Sequence, residues 1–286
     1  MPTWPTNCSI ADGTSRGRMP ARAGWDVGSV RMRENRVKRR LRAGEVVVGC
    51  FIPYPSPELA EICGYLGFDF VLIDAEHGRI TEESAYHMVL AAEVAGATPI
   101  VRVPFGHRQV ILRYLDLGAA GVMVPQVNTP EEAVAVVEAC RYHPSGRRGV
   151  AGVRAAEFGL TKPLSEYVQE ANAETLVIVQ IESIAAVERL EEYLAIPGID
   201  VLFVGPNDLA QSMGYPGQPL HPAVQAVIDD IVRRVAGRVP LGTTAPTPEL
   251  AQRQRERGFL MLAANTTALL AAGARGLLGA FAAKIQ

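Results

Sequence analysis

The segment FVLIDAEHG, residues 70–78, joins an apolar run to three titratable side chains. Phe70, Val71, Leu72 and Ile73 are apolar at consecutive positions, so a strand here has no polar face. Such a strand must be covered on both sides, as in a parallel sheet flanked by helices. It then runs into Asp74, Glu76 and His77. In parallel α/β folds the chemistry collects at the carboxyl ends of the strands. The segment therefore reads as a buried strand leading into a site.

The pattern recurs along the chain. Similar runs are VVVGCFI (46–52), PIVRV (99–103), GVMVP (121–125), LVIVQIE (176–182), VLFVG (201–205), PLGTT (240–244) and FLMLA (259–263). Helical segments lie between them. NTPEEAVAVVEAC (128–140) begins with Thr129 as N-cap, Pro130 at the first helical position and Glu132 completing a capping box, with Val134 and Val137 on one face. PTPELAQRQRERG (246–258) repeats the start at Thr247 and stops on Gly258. Eight strand–helix units predict an α/β fold of the (β/α)8, or TIM, barrel type. A doubly wound sheet would want a Gly-rich first turn, and PYPSPE (53–58) is not one. The connection 126–175 is the long one; its Gly/Arg-rich stretch RYHPSGRRGVAGVRAAEFG (141–159) reads as an ordered or semi-ordered loop, and connections of this length tend to be functional.

Composition narrows the classes. The chain has 286 residues, 48% of them hydrophobic, and a formal net charge of −2. That length and apolar content support a sizeable core, while the near-neutral balance gives no electrostatic case for nucleic acid. No apolar run approaches the ~18 residues needed to cross a bilayer. With Cys8, Cys50, Cys63 and Cys140 in no metal-binding spacing, they are expected to be reduced, mostly buried thiols of a cytoplasmic protein. Residues 1–31, rich in Pro, Gly, Ser and Arg, read as a disordered tail, and residues 32–286 as the barrel. Met32 opens the first helical pattern, MRENRVKRRLRAG (32–44), so an over-extended start is the alternative reading of residues 1–31.

The strand ends are the test of a site. They supply Asp74, Glu76 and His77 from the second strand and Arg102 from the third. Gln180 and Glu182 come from the fifth, Asn207 and Asp208 from the sixth, Thr243 and Thr244 from the seventh, and Asn265 from the eighth. Each has an ordinary explanation when taken alone. Arg102 would pair with Asp74 or Glu76, and Glu182 and Asp208 would cap the helices that follow them. Together they form a ring of carboxylates with one His and one Arg around a single mouth. Glu182 and Asp208 on adjacent strands, with Gln180 nearby, make an oxygen-rich, incomplete cage suited to Mg2+ or Mn2+; zinc would want more His or Cys. An imidazole titrates near neutrality, so His77 is a candidate base, and Arg102 a candidate oxyanion clamp. The only lysines are Lys38, Lys162 and Lys284, none at a strand end, so no Schiff-base lysine is expected. No Gly-rich phosphate cradle follows strands seven and eight, and no nucleotide is expected.

With these residues in hand, the chain from Met32 onward resembles the HpcH/HpaI family of metal-dependent, class II pyruvate-type aldolases. The resemblance rests on FVLIDAEHG, PIVRVP, YLDLGAAGVMVPQV, RYHPSGRRGV, VQIES and GPNDLAQSMGYPG, in that order. It implies a barrel assembled as a homo-oligomer, trimer or hexamer, with its C-terminal helices swapped between subunits. It implies that Glu182 and Asp208 hold the divalent metal (Mg2+ or Mn2+, with Co2+ a further candidate). His77 would be the base, Arg102 would steady the enolate oxygen, and Gln180 would touch the ligand or a metal water. Asp116, in YLDLG, would orient the histidine of a neighbouring subunit, and the backbone at Asn207 and Asp208 would receive the substrate carboxylate. Two positions depart from the family. MLAANTT (261–267) replaces a Gly-Ser-Asp after strand eight, and Thr244 stands where Leu is usual.

The expected activity is cleavage of 4-hydroxy-2-oxo acids to pyruvate and an aldehyde, and the reverse. Oxaloacetate decarboxylation or acyl-CoA lysis would use the same apparatus. A keto-acid-binding barrel without catalysis is the reading from another class. Asp74 and Glu76 are assigned supporting roles beside Arg102 and His77.

Overall fold

The computed structural model describes residues 34–282, so the expected tail 1–31 lies outside the described residues. Eight parallel strands close a barrel in sequence order, with each strand bonded to its chain neighbours and the last paired to the first. They are β1 Val47–Ile52, β2 Phe70–Asp74, β3 Thr98–Arg102, β4 Gly121–Val124, β5 Leu176–Ile181, β6 Val201–Val204, β7 Leu241–Thr244 and β8 Met261–Asn265. The predicted (β/α)8 barrel is therefore the fold. Most boundaries shift by a residue, and β8 shifts most: it spans Met261–Asn265, not 259–263. Gly258 has φ +100°, and the Phe259 N–H turns back to bond the Gln254 carbonyl, so the chain joins the sheet only from Leu260, which bonds Leu241 and Val47. The shift places Asn265 at the strand end.

Helices alternate with the strands: α1 Arg36–Arg42, α2 Pro57–Tyr65, α3 Glu82–Val94, α4 Arg108–Asp116, α5 Pro130–Cys140 and α6 Leu164–Glu174. They continue with α7 Ile184–Glu188, α8 Leu190–Leu194, α9 Pro206–Ser212, α10 Pro222–Val235, α11 Pro248–Glu256 and α12 Thr266–Ala282. The start signals act as read. Thr129 accepts from the Glu132 N–H while Glu132 reaches back to the Thr129 N–H, and Thr247 accepts from the Leu250 N–H. The buried face of α5 is Ala133, Val136, Val137 and Cys140; Val134 is exposed, so it does not share the buried face with Val137. The long connection is ordered. It holds α5, a 3-10 segment Arg154–Gly159 and α6, with Arg148 buried beneath it.

Strand alternation sorts the core into two layers. Outward residues such as Cys50, Ile73, Val101, Val179 and Val204 pack against the helices. Inward residues, among them Phe51, Leu72, Ile100, Ile178, Phe203 and Ala263, fill the barrel, and Val37 and Leu41 of α1 join them from the amino-terminal end. Space inside is rationed by glycine: a Cβ at Gly242 would meet the Phe203 ring at 2.5 Å. Truncating Phe203 to Ala would cost about 3–5 kcal/mol. The inward parity that carries Leu72, Ile100 and Ile178 carries on to Asp74, Arg102 and Gln180, and so fixes which polar residues meet at the mouth. Cys50, Cys63 and Cys140 are buried, as expected; Cys8 lies outside the described residues.

Candidate active site

At the carboxyl ends of the strands lies a cavity of about 450 Å3. Its walls include Asp74, His77, Arg102, Gln180, Asn207, Asp208, Thr244 and Asn265, so the structure gathers residues from five of the eight strands and the turns after two of them. Thr243 has the opposite parity; its hydroxyl bonds the Val204 carbonyl and it does not line the cavity.

Asp74 organises one side. Register pairs it with Arg102 across β2 and β3. Arg102 donates from Nε and Nη2 to the two Asp74 oxygens at 2.9 and 2.7 Å, a bidentate pair. The Phe51 ring supports the guanidinium from below, 4.8 Å from its carbon. Asp74 Oδ1 also accepts from the backbone N–H groups of Glu76 and His77 at 3.2 Å each, so one carboxylate fixes both the arginine and the loop that carries the histidine. Glu76 Oε2 stands 3.1 Å from Arg102 Nη1 and 3.9 Å from His77 Nε2, without an aligned hydrogen bond to either. The Asp74 and Glu76 pairings with Arg102 are thus both present, and they hold Arg102 at the mouth. His77 has its side chain 63% exposed.

Glu182 organises the other side. It is buried, and its Oε1 accepts from the Gln126 backbone N–H at 2.7 Å. Gln126 is held at φ 54°, a left-handed conformation that is strained for a residue with a Cβ and that aims its N–H at the carboxylate. Gln180 Nε2 donates to Glu182 Oε2. Gly205 makes room for that oxygen, since a Cβ there would sit 2.7 Å from it. Neither Glu182 nor Asp208 caps a helix: Ser183 caps α7, and Asp208 lies in the first turn of α9, whose N-cap is Gly205. Burial pushes the Glu182 carboxyl up to about 7; the Gln126 N–H opposes this, and Asp208 and Glu76 add to it by repulsion. Burial likewise raises Glu76 against the pull of Arg102.

One buried acceptor at the mouth, Gln180 Oε1, has no partner, while Glu76 Oε2 has the Arg102 guanidinium as its ion-pair partner. An orphaned acceptor beside mutually repelling carboxylates is the electrostatic complement of a cation. Among the described residues no three His, Cys, Asp or Glu side chains converge into a complete metal cage. Glu182 and Asp208, with the Gln180 amide oxygen, make an open oxygen set of the kind a hard divalent cation shares with water or substrate.

Asp116 is elsewhere. It ends α4, which runs back from the mouth, and it is held by Arg148 Nη2 at 2.9 Å. The single chain does not bring it to His77. Three contributors went unselected in the sequence: Gln126, Phe51 and Gly205. Only Gly205 carried a signal, as a glycine directly after a strand; the other two act through a backbone N–H and a ring face.

The family described as HpcH/HpaI aldolase/citrate lyase matches residues 47–272, most of the barrel. The chain belongs to this family. It is 41% identical over 241 residues to the 2-dehydro-3,6-dideoxy-6-sulfogluconate aldolase of Pseudomonas putida, covering 83% of this chain and 93% of that one. It is 40% identical over 255 residues to the 4-hydroxy-2-oxovalerate aldolase of Rhodococcus jostii, covering 87% and 96%. A solved HpcH/HpaI aldolase/citrate lyase family protein from Burkholderia cenocepacia superposes with TM-score 0.81 at 35% identity, covering 86% of this chain and 98% of that one. This HpcH/HpaI family member is accordingly an aldolase, a carbon–carbon lyase. Among its described residues, no helix is long and apolar enough to cross a membrane.

Proposed function

We propose that this aldolase is divalent-metal-dependent, uses Mg2+ or Mn2+, and interconverts 4-hydroxy-2-oxo acids with pyruvate and an aldehyde. The observation that carries the reading is the mutual repulsion of the buried Glu182 with Asp208 and Glu76, beside the unpartnered Gln180 Oε1 and a cavity whose walls include Gln180, Asp208, Arg102 and His77. Glu182 and Asp208 would hold the metal, with Gln180 beside them. Bound there, the metal would supply Lewis-acid polarisation of the 2-oxo acid.

The chain's own groups do the rest. His77, exposed at the rim, takes the proton from the C4 hydroxyl. The C3–C4 bond then breaks, its electron pair passes toward C2, and the aldehyde leaves. Arg102, locked by Asp74 and resting on Phe51, faces the oxyanion of the resulting enolate without reorganising. The backbone at Asn207 and Asp208, in the first turn of α9, would receive the substrate carboxylate. C3 is finally protonated to give pyruvate. Thr244, and Asn265 at the end of β8, line the wall that faces the aldehyde, and a hydroxyl at Thr244 favours a polar one.

Completion of the dyad falls to a second copy. Asp116 lies at the outer end of α4 and would orient the histidine of a neighbouring subunit. The C-terminal helix supports a homo-oligomer. Along α12, Leu270, Leu277, Leu278 and Phe281 are all at least 60% exposed. On the barrel wall, the outward Val48 of β1 and Ile62, Tyr65 and Leu66 of α2 are exposed as well. An apolar helix and an uncovered wall in the same chain fit an exchange of α12 between copies.

The test is pyruvate release from a panel of 4-hydroxy-2-oxo acids, before and after EDTA and on readdition of Mn2+ or Mg2+. Activity should vanish with EDTA and return with either ion. Turnover indifferent to EDTA would end the metal assignment.

A further inference from the structure

The opposite end of the barrel holds a second cavity, of about 840 Å3. It lies between α1, the residues leading into β6, β7 and β8, and the carboxyl end of α10. Its charged lining is Lys38, Arg42, Arg141, Arg238, Arg257 and Asp200. Two of these cations pair with carboxylates outside this cluster: Arg238 with Glu191, which Arg234 also meets, and Arg257 with Asp229. The remaining three share one. Asp200 is 3.0 Å from Lys38 Nζ, 3.1 Å from Arg141 Nη2 and 3.6 Å from Arg42 Nη2. Its Oδ2 also accepts from the Val177 N–H at 3.0 Å.

This is an imbalance of charge in a partly dry place. Lys38 and Arg141 are buried, and both donate to the Thr175 carbonyl, at 2.7 and 2.8 Å. Burial drives the Lys38 ammonium down to about 8; Asp200 opposes this, while Arg141 and Arg42 reinforce it. Clustered cations are not in themselves unusual in this chain. The smaller cavity beside the 3-10 segment also presents three, but each has its own acid: Arg148 with Asp116, Arg154 with Glu93 and Lys162 with Glu170. Among the described residues, only around Asp200 do three cations share a single carboxylate. Arg42, whose side chain is 65% exposed, comes no closer than 3.6 Å to Asp200, and among the described residues its five N–H donors make no side-chain hydrogen bond.

We propose that this cavity binds a small polyanion, a phosphate or a polycarboxylate, gripped by Arg42 with Lys38 and Arg141 behind it. The anion supplies the charge that Asp200 alone does not, and a guanidinium at the rim gives it a bidentate contact. The site is separate from the mouth. Leu176 lines this cavity and Gln180 the other, four residues apart on β5, or roughly 13 Å at the strand rise.

Calorimetric titration of the full-length, EDTA-treated chain with inorganic phosphate, and separately with citrate, tests this and tells the two classes of anion apart. At least one should bind at one site per chain. Its dissociation constant should weaken at least about tenfold in Arg42→Glu and in Lys38→Met, and should not move in Arg102→Gln, which disables the mouth. Arg42 is outside the catalytic machinery, so Arg42→Glu should keep its thermal midpoint and its aldol turnover. It decides the matter even if Lys38→Met fails to fold. No binding of either anion, binding unmoved by Arg42→Glu, or binding lost in Arg102→Gln overturns the proposal.

Discussion

The two ends of the barrel are charged in opposite senses. At the carboxyl ends of the strands, Asp74, Glu76, Glu182 and Asp208 gather around one arginine and one histidine, and the buried Gln180 Oε1 lacks a donor. At the amino ends, Lys38, Arg42 and Arg141 converge on Asp200 alone. Each end is short of the charge the other has in excess. Burial converts that shortage into pKa shifts of opposite direction, Glu182 up to about 7 and Lys38 down to about 8. The same eight strands therefore present two unlike sites, one suited to a cation with its oxyanion substrate and one suited to an anion.

The contrast can be broken at its strongest point first. His77→Ala should lower kcat by about 10^2–10^4-fold with bound metal unchanged, measured by steady-state turnover and elemental analysis. Near-normal turnover would remove the base from the mouth. Asp74→Ala should destabilise the fold by about 3–5 kcal/mol in denaturant unfolding, because Arg102 is left buried and under-compensated.

At the other end, the prediction concerns pH. The unfolded Lys38 keeps its proton up to the ordinary lysine value of 10.5, whereas burial makes the folded one release it near 8. Between those values the unfolded chain binds more protons, so this group's contribution to stability rises with pH, by roughly 3 kcal/mol in all. The rise should be missing in Lys38→Met, with Asp200, Arg141 and Arg42 left in place, when unfolding free energies are compared from pH 8 to 10. The smallest effect sharpens the mouth. Gly205→Ala pushes on Glu182 Oε2 and should weaken divalent metal binding by about 10–100-fold, read by metal titration, while the circular dichroism spectrum stays that of the wild type.

Much of the mouth was legible because strand parity and strand ends are one-dimensional patterns. His77, Arg102, Gln180, Asp208 and Thr244 were selected from their places after apolar runs, and all five line one cavity. Asp116 was different. No strand end points to it, family resemblance alone named it, and in the single chain it ends α4, held by the buried Arg148. Thr243 shows the limit of the strand-end reading. It lies one residue from Thr244, yet the pleat turns it outward to the Val204 carbonyl. The bottom cavity left no comparable trace, since its residues come from α1, the end of α5 and the turns before three strands.

The sequence by itself determined the fold and the chemical character of the mouth. Two-sided apolar strands must be covered by helices, and eight of them in alternation have one economical closure. Tertiary structure alone decided the finer electrostatics. It set Gln126 in a left-handed turn to cap Glu182, laid Arg102 on Phe51 and left Asp200 serving three cations. Those outcomes depend on distances between residues far apart in the chain and on the water excluded around them, and local pattern encodes neither.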